Sequence, residues 1–411
     1  MAWYNTSGNA WDTVISSRVR LARNLNGYPF ASRMNEEQAH AIIAKVGAPL
    51  ESSGFKKIDF AELSPVMATS YVEKHFVSPQ FATLQTPHVL FLQEQSGSAV
   101  MVGEEDHLRI QSILPGLALE EAYKNASRIE KRLDEDFDFA YSERLGYLTH
   151  CPTNLGTGMR ASVMMFLPAL TRGGYMESLA VQLSKIGLTV RGLFGEGSGA
   201  AGGMYQISNQ ITLGISEEEI LRKLSEAIQQ ITDSEEKARK AITGDTLDRL
   251  TDRIKRAEGT LKYAYMMTSS EFIKLFADVR FGIALGLVTD ISYEELGNLL
   301  VEAMPATLTL GAEIPPKTEA ARDILRAAKI RDFLQEKNHN KPDLFLRIGM
   351  ERSGDYGKPF YTKSTTCPES CPGIGIGDGT HLYRIGAPVA RPSERRIRGC
   401  GALSYSARRN R

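Results

Sequence analysis

Cysteine is scarce. Four in 411 residues cannot frame a disulfide scaffold, and this points to a reducing, cytoplasmic setting. No apolar run approaches the roughly 20 residues of a membrane helix, and the longest, Ala161 to Leu170, is broken by Pro168. The opening MAWYNTSGNAWD has no basic patch ahead of an apolar core, so no secretory signal is expected. Neither sign of charge is in excess: 49 Lys plus Arg stand against 49 Asp plus Glu. That balance leaves no global field to draw in nucleic acid or an anionic membrane. Hydrophobic residues make up 42% and charged residues 24%, enough apolar material for a sizeable core in two or three domains.

The neutral total hides an asymmetry. Lys341 to Arg411 hold 13 Lys/Arg against 6 Asp/Glu, so the residues before them carry a net of −7. The same segment takes 10 of the 36 glycines, 6 of the 17 prolines and 3 of the 4 cysteines. With no sustained apolar period it predicts a disordered tail over 341–411, more a solvated appendage than an arm for an acidic partner. Cys367 and Cys371 with a distant Cys400 make a poor zinc pattern.

Before the tail, strand-like and helix-like pieces are mixed without a regular strand–helix repeat, which favours α+β over a doubly wound sheet. Asn35 to Val46 reads as a helix with Asn35 and Gln38 at capping-box spacing. His88 to Gln95 and Ala99 to Gly103 flank Ser96-Gly97-Ser98 as a hairpin. Ser216 to Ile231 opens with Ser216 and Glu219 in capping register and keeps a helical apolar stripe. From Ser234 to Gln335 the period is almost wholly helical, in segments 247–257, 270–284, 293–304 and 317–335. The expected organisation is a catalytic domain over 14–238, an all-helical domain over 239–340, and the tail.

Four segments carry chemistry: SSRVR (16–20), EEDHLR (104–109), CPTNLGTGMR (151–160) and RGLFGE (191–196). Moving a phosphoryl group requires neutralising a triphosphate, and arginine's permanently charged planar fork suits phosphate geometry. Arg18 and Arg20 alternate on a strand end and can share a face; Arg109, Arg160 and Arg191 could converge on the same nucleotide. Any one of them alone reads as a surface charge. Three consecutive acids after an apolar strand need a cationic partner, a guanidinium or Mg²⁺, unless they form an exposed acidic turn. Gly156 and Gly158 would permit close backbone approach to phosphate, although the loop is no Walker motif.

Together these segments resemble the ATP:guanidino phosphotransferases, the family of creatine and arginine kinases. CPTNLGTGMR is similar to that family's decapeptide, and EEDHLR, SSRVR and YQISNQITLG (205–214) fall in the expected order. The likeness covers residues 14 to about 335. Three features are most similar to the bacterial protein-arginine kinases (McsB type). SSRVR begins at residue 16, leaving no room for the helical domain that helps enclose a free amino acid. RGLFGE keeps Glu196. Arg322-Asp323-Ile324-Leu325-Arg326-Ala327 fits the RDxxRA motif, implied to form an allosteric phosphoarginine pocket; Arg322 and Arg326 lie four apart, on one helix face.

The resemblance implies a largely antiparallel sheet flanked by helices, followed by helices alone. It also implies a reaction in which ATP phosphorylates arginine side chains of proteins. Glu105 and Glu196 match the guanidinium-gripping acids, Glu105 being the expected base; Asp106 and Glu104 would support Mg²⁺ and hold Glu105, while Cys151 sits near the guanidinium. Nucleotide contacts are implied for Ser16, Ser17, Arg18, Val19, Arg20, His75, Arg109, Arg160, Ala161, Ser162, Val163, Met164 and the run Arg191, Gly192, Leu193, Phe194, Gly195 and Glu196. Mg²⁺ is expected mainly through ATP, with its protein ligands unassigned. Partners implied are proteins with exposed arginine, a second copy in a homodimer, an activator protein and a Clp protease in a stress-linked degradation pathway. No nucleic acid or membrane partner is expected. The competing expectations are a kinase for free arginine or another small guanidine, and a non-catalytic phosphoarginine-binding adaptor.

Overall fold

The computed structural model describes residues 3–192 and 201–339, which fall in one compact unit. The chain enters at β1 (Val14–Arg23), then α1 (Glu36–Ser52), β2 (Lys56–Asp59) and α2 (Pro65–Glu73). The hairpin β3 (Val89–Gln93) and β4 (Ser98–Val102) follows, then β5 (Leu108–Pro115) and α3 (Leu119–Asp134). A small ribbon, β6 (Tyr141–Ser142) and β7 (Gly146–Tyr147), leads into β8 (Met159–Phe166). Next come α4 (Pro168–Arg172), α5 (Met176–Lys185), β9 (Leu188–Gly192) and β10 (Met204–Asn209). The rest is helical: α6 (Glu217–Lys240), α7 (Gly244–Tyr263), α8 (Ser269–Ala284), α9 (Tyr293–Glu302), α10 (Pro305–Leu310) and α11 (Glu319–His339).

Eight strands form one antiparallel sheet in the order β2-β3-β4-β5-β1-β8-β10-β9, with β1 in its interior. The α+β class with a largely antiparallel sheet is thus the fold observed. Local signals act where they stand: Asn35 and Gln38 close both halves of a capping box, and Gly97 turns the β3–β4 connection in the left-handed region. On α6, Ser216 Oγ accepts the Glu219 amide, while three glutamates open the helix and Lys237, Arg239 and Lys240 close it, in line with its dipole.

Each face of the sheet has its own core because side chains alternate along every strand. One face, with Val19, Leu21, Val100, Ile110, Ala161, Val163 and Ile207, packs under α1, α3, α5 and α6. The other brings Leu90, Met101, Ile113, Met164 and Phe166 into a cluster with Leu250, Phe272, Phe276, Leu299 and Ile330 of the C-terminal helices. Sheet and helices therefore share a core, and α6 runs through residue 238 without a break.

Residues 3–13, which the sequence assigns to no domain, tie the two parts together. The Ser7 amide donates to Glu294 Oε1 on α9 (3.1 Å), and buried Arg280 of α8 donates to the Trp11 carbonyl. Arg239 of α6 bridges Asp12 (2.7 Å) and the fully buried Glu235 (3.0 Å), whose carboxylate caps the Ala169 and Leu170 amides of α4 (both 2.9 Å).

Candidate active site

The sheet collects cations on one face. In β1, Ser16, Arg18 and Arg20 point to one side, while Val19 and Leu21 are buried on the other. The register then sets neighbours: Arg20 lies opposite Gln111 of β5 and Arg160 of β8, Arg18 opposite Ile113 and Ser162, and Ala22 opposite Arg109. Across β10, Gln206 pairs with Met164 and with Arg191 of β9. Arg18, Arg20, Arg109 and Arg191 line a cavity of about 370 Å³ together with His75, Ser78 and Gln80, floored by Met101 and Ile113.

These cations stand too close to be at ease without an anion. Burial, then the charges of Arg109 and Arg160, pull the Arg18 guanidinium down to about 10. Arg20 is driven well below its ordinary value by burial and by Arg18, Arg109 and Arg160, with Glu104 pulling it back. Arg160 is lowered by burial, Arg191 and Arg109. The Arg20 Nε is buried with no hydrogen-bond partner among the described residues. A cationic cavity with an orphaned donor is built for a polyanion, and the donor set fits a nucleoside triphosphate. His75 is different: burial and then Arg18 push its ring down to about 4, so it is a neutral aromatic wall.

A second cavity, about 240 Å³, adjoins the first through the shared side chains of Arg20 and Arg109. It is lined by Glu105, Cys151, Thr153, Asn154 and Arg160. Glu105 reaches Arg109 at 3.6 Å and His150 Nδ1 at 3.7 Å, and its side chain keeps 39% of its surface open. Cys151 Sγ lies 3.1 Å from Thr153 Oγ1.

The three acids of EEDH have three fates. Glu104 grips Arg109 (2.5 Å) and accepts from Ser78 Oγ (2.5 Å), fixing an arginine that lines the larger cavity. Asp106 is 1% exposed and turns inward, where Oδ1 accepts from Asn24 Nδ2 and from the His150 amide, both 2.7 Å. It thereby pins the loop that carries Cys151. Glu104 is spent on Arg109 and Ser78, and Asp106 is sealed from solvent. Among the described residues the Asp106 Oδ2 has no hydrogen-bond partner and no group of three or more metal-binding side chains converges. The donor set does not fit a metal held by the protein itself.

The glycines of the 151–160 loop serve the chain's own packing. A Cβ on Gly156 would collide with the Thr212 carbonyl, and one on Gly158 would meet Arg23 Nη1 at 2.5 Å and the Ala22 carbonyl at 2.7 Å. For Gly156 what approaches is the protein's own backbone, whereas Gly158 packs on Arg23 and Ala22 and also lines the smaller cavity. Thr212 Oγ1 also donates to the Thr153 (3.0 Å) and Leu155 (2.8 Å) carbonyls, and Asn209 Oδ1 accepts the Ala161 amide (2.8 Å). This is how the 205–214 segment supports the loop.

Of the other expected contacts, Ser16, Ser162 and Met164 line the larger cavity. Ser17, Val19, Ala161 and Val163 have their side chains on the opposite face: Ser17 Oγ donates to the Gly116 carbonyl (2.8 Å) and the other three are in the core. Gly192 ends β9, while Leu193, Phe194, Gly195 and Glu196 lie outside the described residues, as does the 341–411 tail. Gln111 and Gln206 in the larger cavity, and Asn24 behind Asp106, are missed by reading the sequence. Strand parity with Arg109 is the signal that could have found Gln111; Gln206 faces Arg191 from the neighbouring strand, a register that no local signal gives.

In the RDxxRA segment on α11, Arg326 is fully buried and donates to the Ala303 (2.8 Å) and Met267 (2.8 Å) carbonyls and to Asp323 (2.5 Å). Ala327 is core, Ile324 is half-buried, and Arg322 lies 3.8 Å from Glu319. Leu325 is half-buried as well. Arg326 Nη2 and Arg322 Nε have no hydrogen-bond partner among the described residues.

Comparison with known proteins agrees with this geometry. Residues 36–238 match the family model of the ATP:guanido phosphotransferase C-terminal catalytic domain, and 247–343 match that of the protein-arginine kinase McsB C-terminal domain. A protein-arginine kinase of Pelotomaculum thermopropionicum is 42% identical over 338 residues, 80% of this chain and 94% of that protein. One from Clostridium acetobutylicum is 40% identical over 340 residues, covering 81% and 99%. Among solved structures, the duplicated taurocyamine kinase of Schistosoma mansoni with bound transition-state-analogue components superposes with a TM-score of 0.51 at 26% identity. The match covers 63% of this chain and 39% of that one.

Proposed function

The chain belongs to the protein-arginine kinases of the ATP:guanido phosphotransferase family, and from that membership we propose that it transfers the γ-phosphoryl group of ATP to arginine side chains of proteins. The single observation that carries this is the pair of adjoining cavities that share Arg20 and Arg109. The larger, cationic cavity takes the nucleotide, with its base against the neutral His75 wall and its phosphates among Arg18, Arg20, Arg109, Arg160 and Arg191. The smaller one takes the acceptor guanidinium beside Glu105 and Cys151. The nucleotide would come as its magnesium complex, the metal on its own phosphates neutralising part of their charge.

A guanidinium gives up its proton only above about pH 12, so the site must orient it and accept that proton. Glu105 is the base: it lies in the acceptor cavity, held by the Arg109 guanidinium and by the inward anchoring of Asp106, the next residue in the chain. The acceptor nitrogen bonds to the γ-phosphorus as the bond to the bridging oxygen of ADP breaks, and the proton passes to Glu105. The transition state is loose, so alignment and charge stabilisation by the shared arginines do most of the work.

A protein acceptor, in preference to free arginine, is supported by the half-open side chain of Glu105 and by relatives of that name that match along nearly their whole length. The orphaned Arg322 and Arg326 donors fit a second, regulatory phosphate contact on α11. Labelled MgATP offered with an unfolded, serine-free, arginine-rich protein, beside free L-arginine, tests the acceptor. Acid-labile label on the protein is expected; label on free arginine alone would overturn the assignment.

A further inference from the structure

The wall of the nucleotide cavity depends on a residue from the far N-terminus. His75 follows α2 in the left-handed region, φ +62°, where a side-chain-bearing residue is under strain. Such a conformation persists only where its surroundings over-determine it. Three contacts do so here. The His75 amide donates to the Val72 carbonyl (2.9 Å), its carbonyl accepts from Gln111 Nε2 (2.9 Å), and its ring stacks on the Trp3 indole at 5.0 Å between centroids with 29° between planes.

Trp3 is itself fixed. It is 2% exposed, and its Nε1 donates to the carbonyl of Lys74, the residue before His75 (3.0 Å). Its neighbour Tyr4 is seated on α9, where the Tyr4 carbonyl comes so close to Gly297 that no Cβ could stand there. Ser7 is tied to Glu294 on the same helix. A segment anchored to the C-terminal helices thus delivers an indole to the back of a nucleotide-facing imidazole.

We propose that Trp3 is a positioning residue for nucleotide binding: it holds the His75 ring in the cavity wall and so sets the affinity for ATP. It rests on the larger cavity being the nucleotide site. An aromatic pair adds its own geometry-dependent contribution beyond area burial, and here that contribution fixes one rotamer and one backbone conformation.

A double-mutant cycle read by calorimetric titration of the full chain with ATP tests it, with thermal melts recorded alongside. Trp3→Leu should weaken ATP binding by about 5- to 10-fold, the weight of one aromatic contact. Trp3→Phe, which keeps a stacking ring, should recover most of that loss. In a His75→Asn background, where asparagine tolerates the same φ, Trp3→Leu should change ATP affinity less than about 2-fold, as expected when two residues act through one contact. Where the leucine variant fails to fold, Trp3→Phe carries the same cycle, its smaller effect vanishing beside His75→Asn. Wild-type affinity in a folded Trp3→Leu variant would overturn the proposal, as would a full loss that persists without His75. Wild-type protein that binds no ATP would defeat the nucleotide site itself and the proposal with it.

Discussion

Arg20 and Arg160 face each other directly across the β1–β8 ladder, two like charges at one paired position of a sheet. Such a pair is destabilising on its own; Arg18 and Arg109 press further on Arg20, and Arg191 and Arg109 on Arg160. The strain is relieved when phosphates enter. Stability of the empty protein and function are therefore set against each other at these positions.

Arg160→Gln separates the two. Without nucleotide the variant should be as stable as the wild type or more so, by up to about 1 kcal/mol, although it loses the contact from Nη2 to Ser208 Oγ (3.3 Å). Turnover should fall about 10²- to 10³-fold, as when one preorganised charge donor is removed. Urea unfolding with and without ATP, beside steady-state rates, checks both halves; a strongly destabilised apo variant would contradict them.

Asp106 is predicted to matter through structure. Asp106→Ala takes one of the two acceptors of Asn24 Nδ2, which keeps the Leu148 carbonyl, and the only side-chain acceptor of the His150 N–H, and should cost about 1–3 kcal/mol of stability. The loop bearing Cys151 loses its tether, so activity falls even where the variant is folded. Equal urea midpoints for variant and wild type would show that the carboxylate is not a tether.

The neutral ring of His75 gives a pH signature. Its folded-state value, about 4, lies below the ordinary 6.5, so the unfolded chain binds the extra proton across that interval. This contribution to stability is present above the unfolded value and is lost as pH falls from about 6.5 towards 4. From pH 7 to 5 the wild type should lose about 2 kcal/mol that His75→Asn does not lose. Parallel pH–stability curves for the two proteins would contradict it.

How much of this is legible in the sequence differs by scale. Reading SSRVR needs only the two-residue strand period, and that period correctly puts Arg18 and Arg20 on one face. The caps at Asn35 and Ser216, and the left-handed Gly97, act within four residues and are equally readable. Sheet order is not. The ladders of β1 with β5 and β8 join residues some 85 to 150 positions apart, and nothing local selects them. For the same reason EEDH looks like three equivalent acids until Asn24 and His150 arrive from elsewhere to claim Asp106. Gly156 misleads because the backbone that crowds it, at Thr212, is distant in sequence.

The division of labour between the two cavities is tested most directly by Glu105→Gln, with ATP affinity measured by calorimetry and phosphoryl transfer to an arginine-bearing protein followed in a single turnover. Glu105 lines only the acceptor cavity, so ATP should bind within about 2-fold of the wild type while transfer slows by about 10²-fold or more, the weight of a general base. Transfer at the wild-type rate would remove Glu105 from the chemistry, and joint loss of ATP binding and transfer would show that the two cavities are not the donor and acceptor halves of one site.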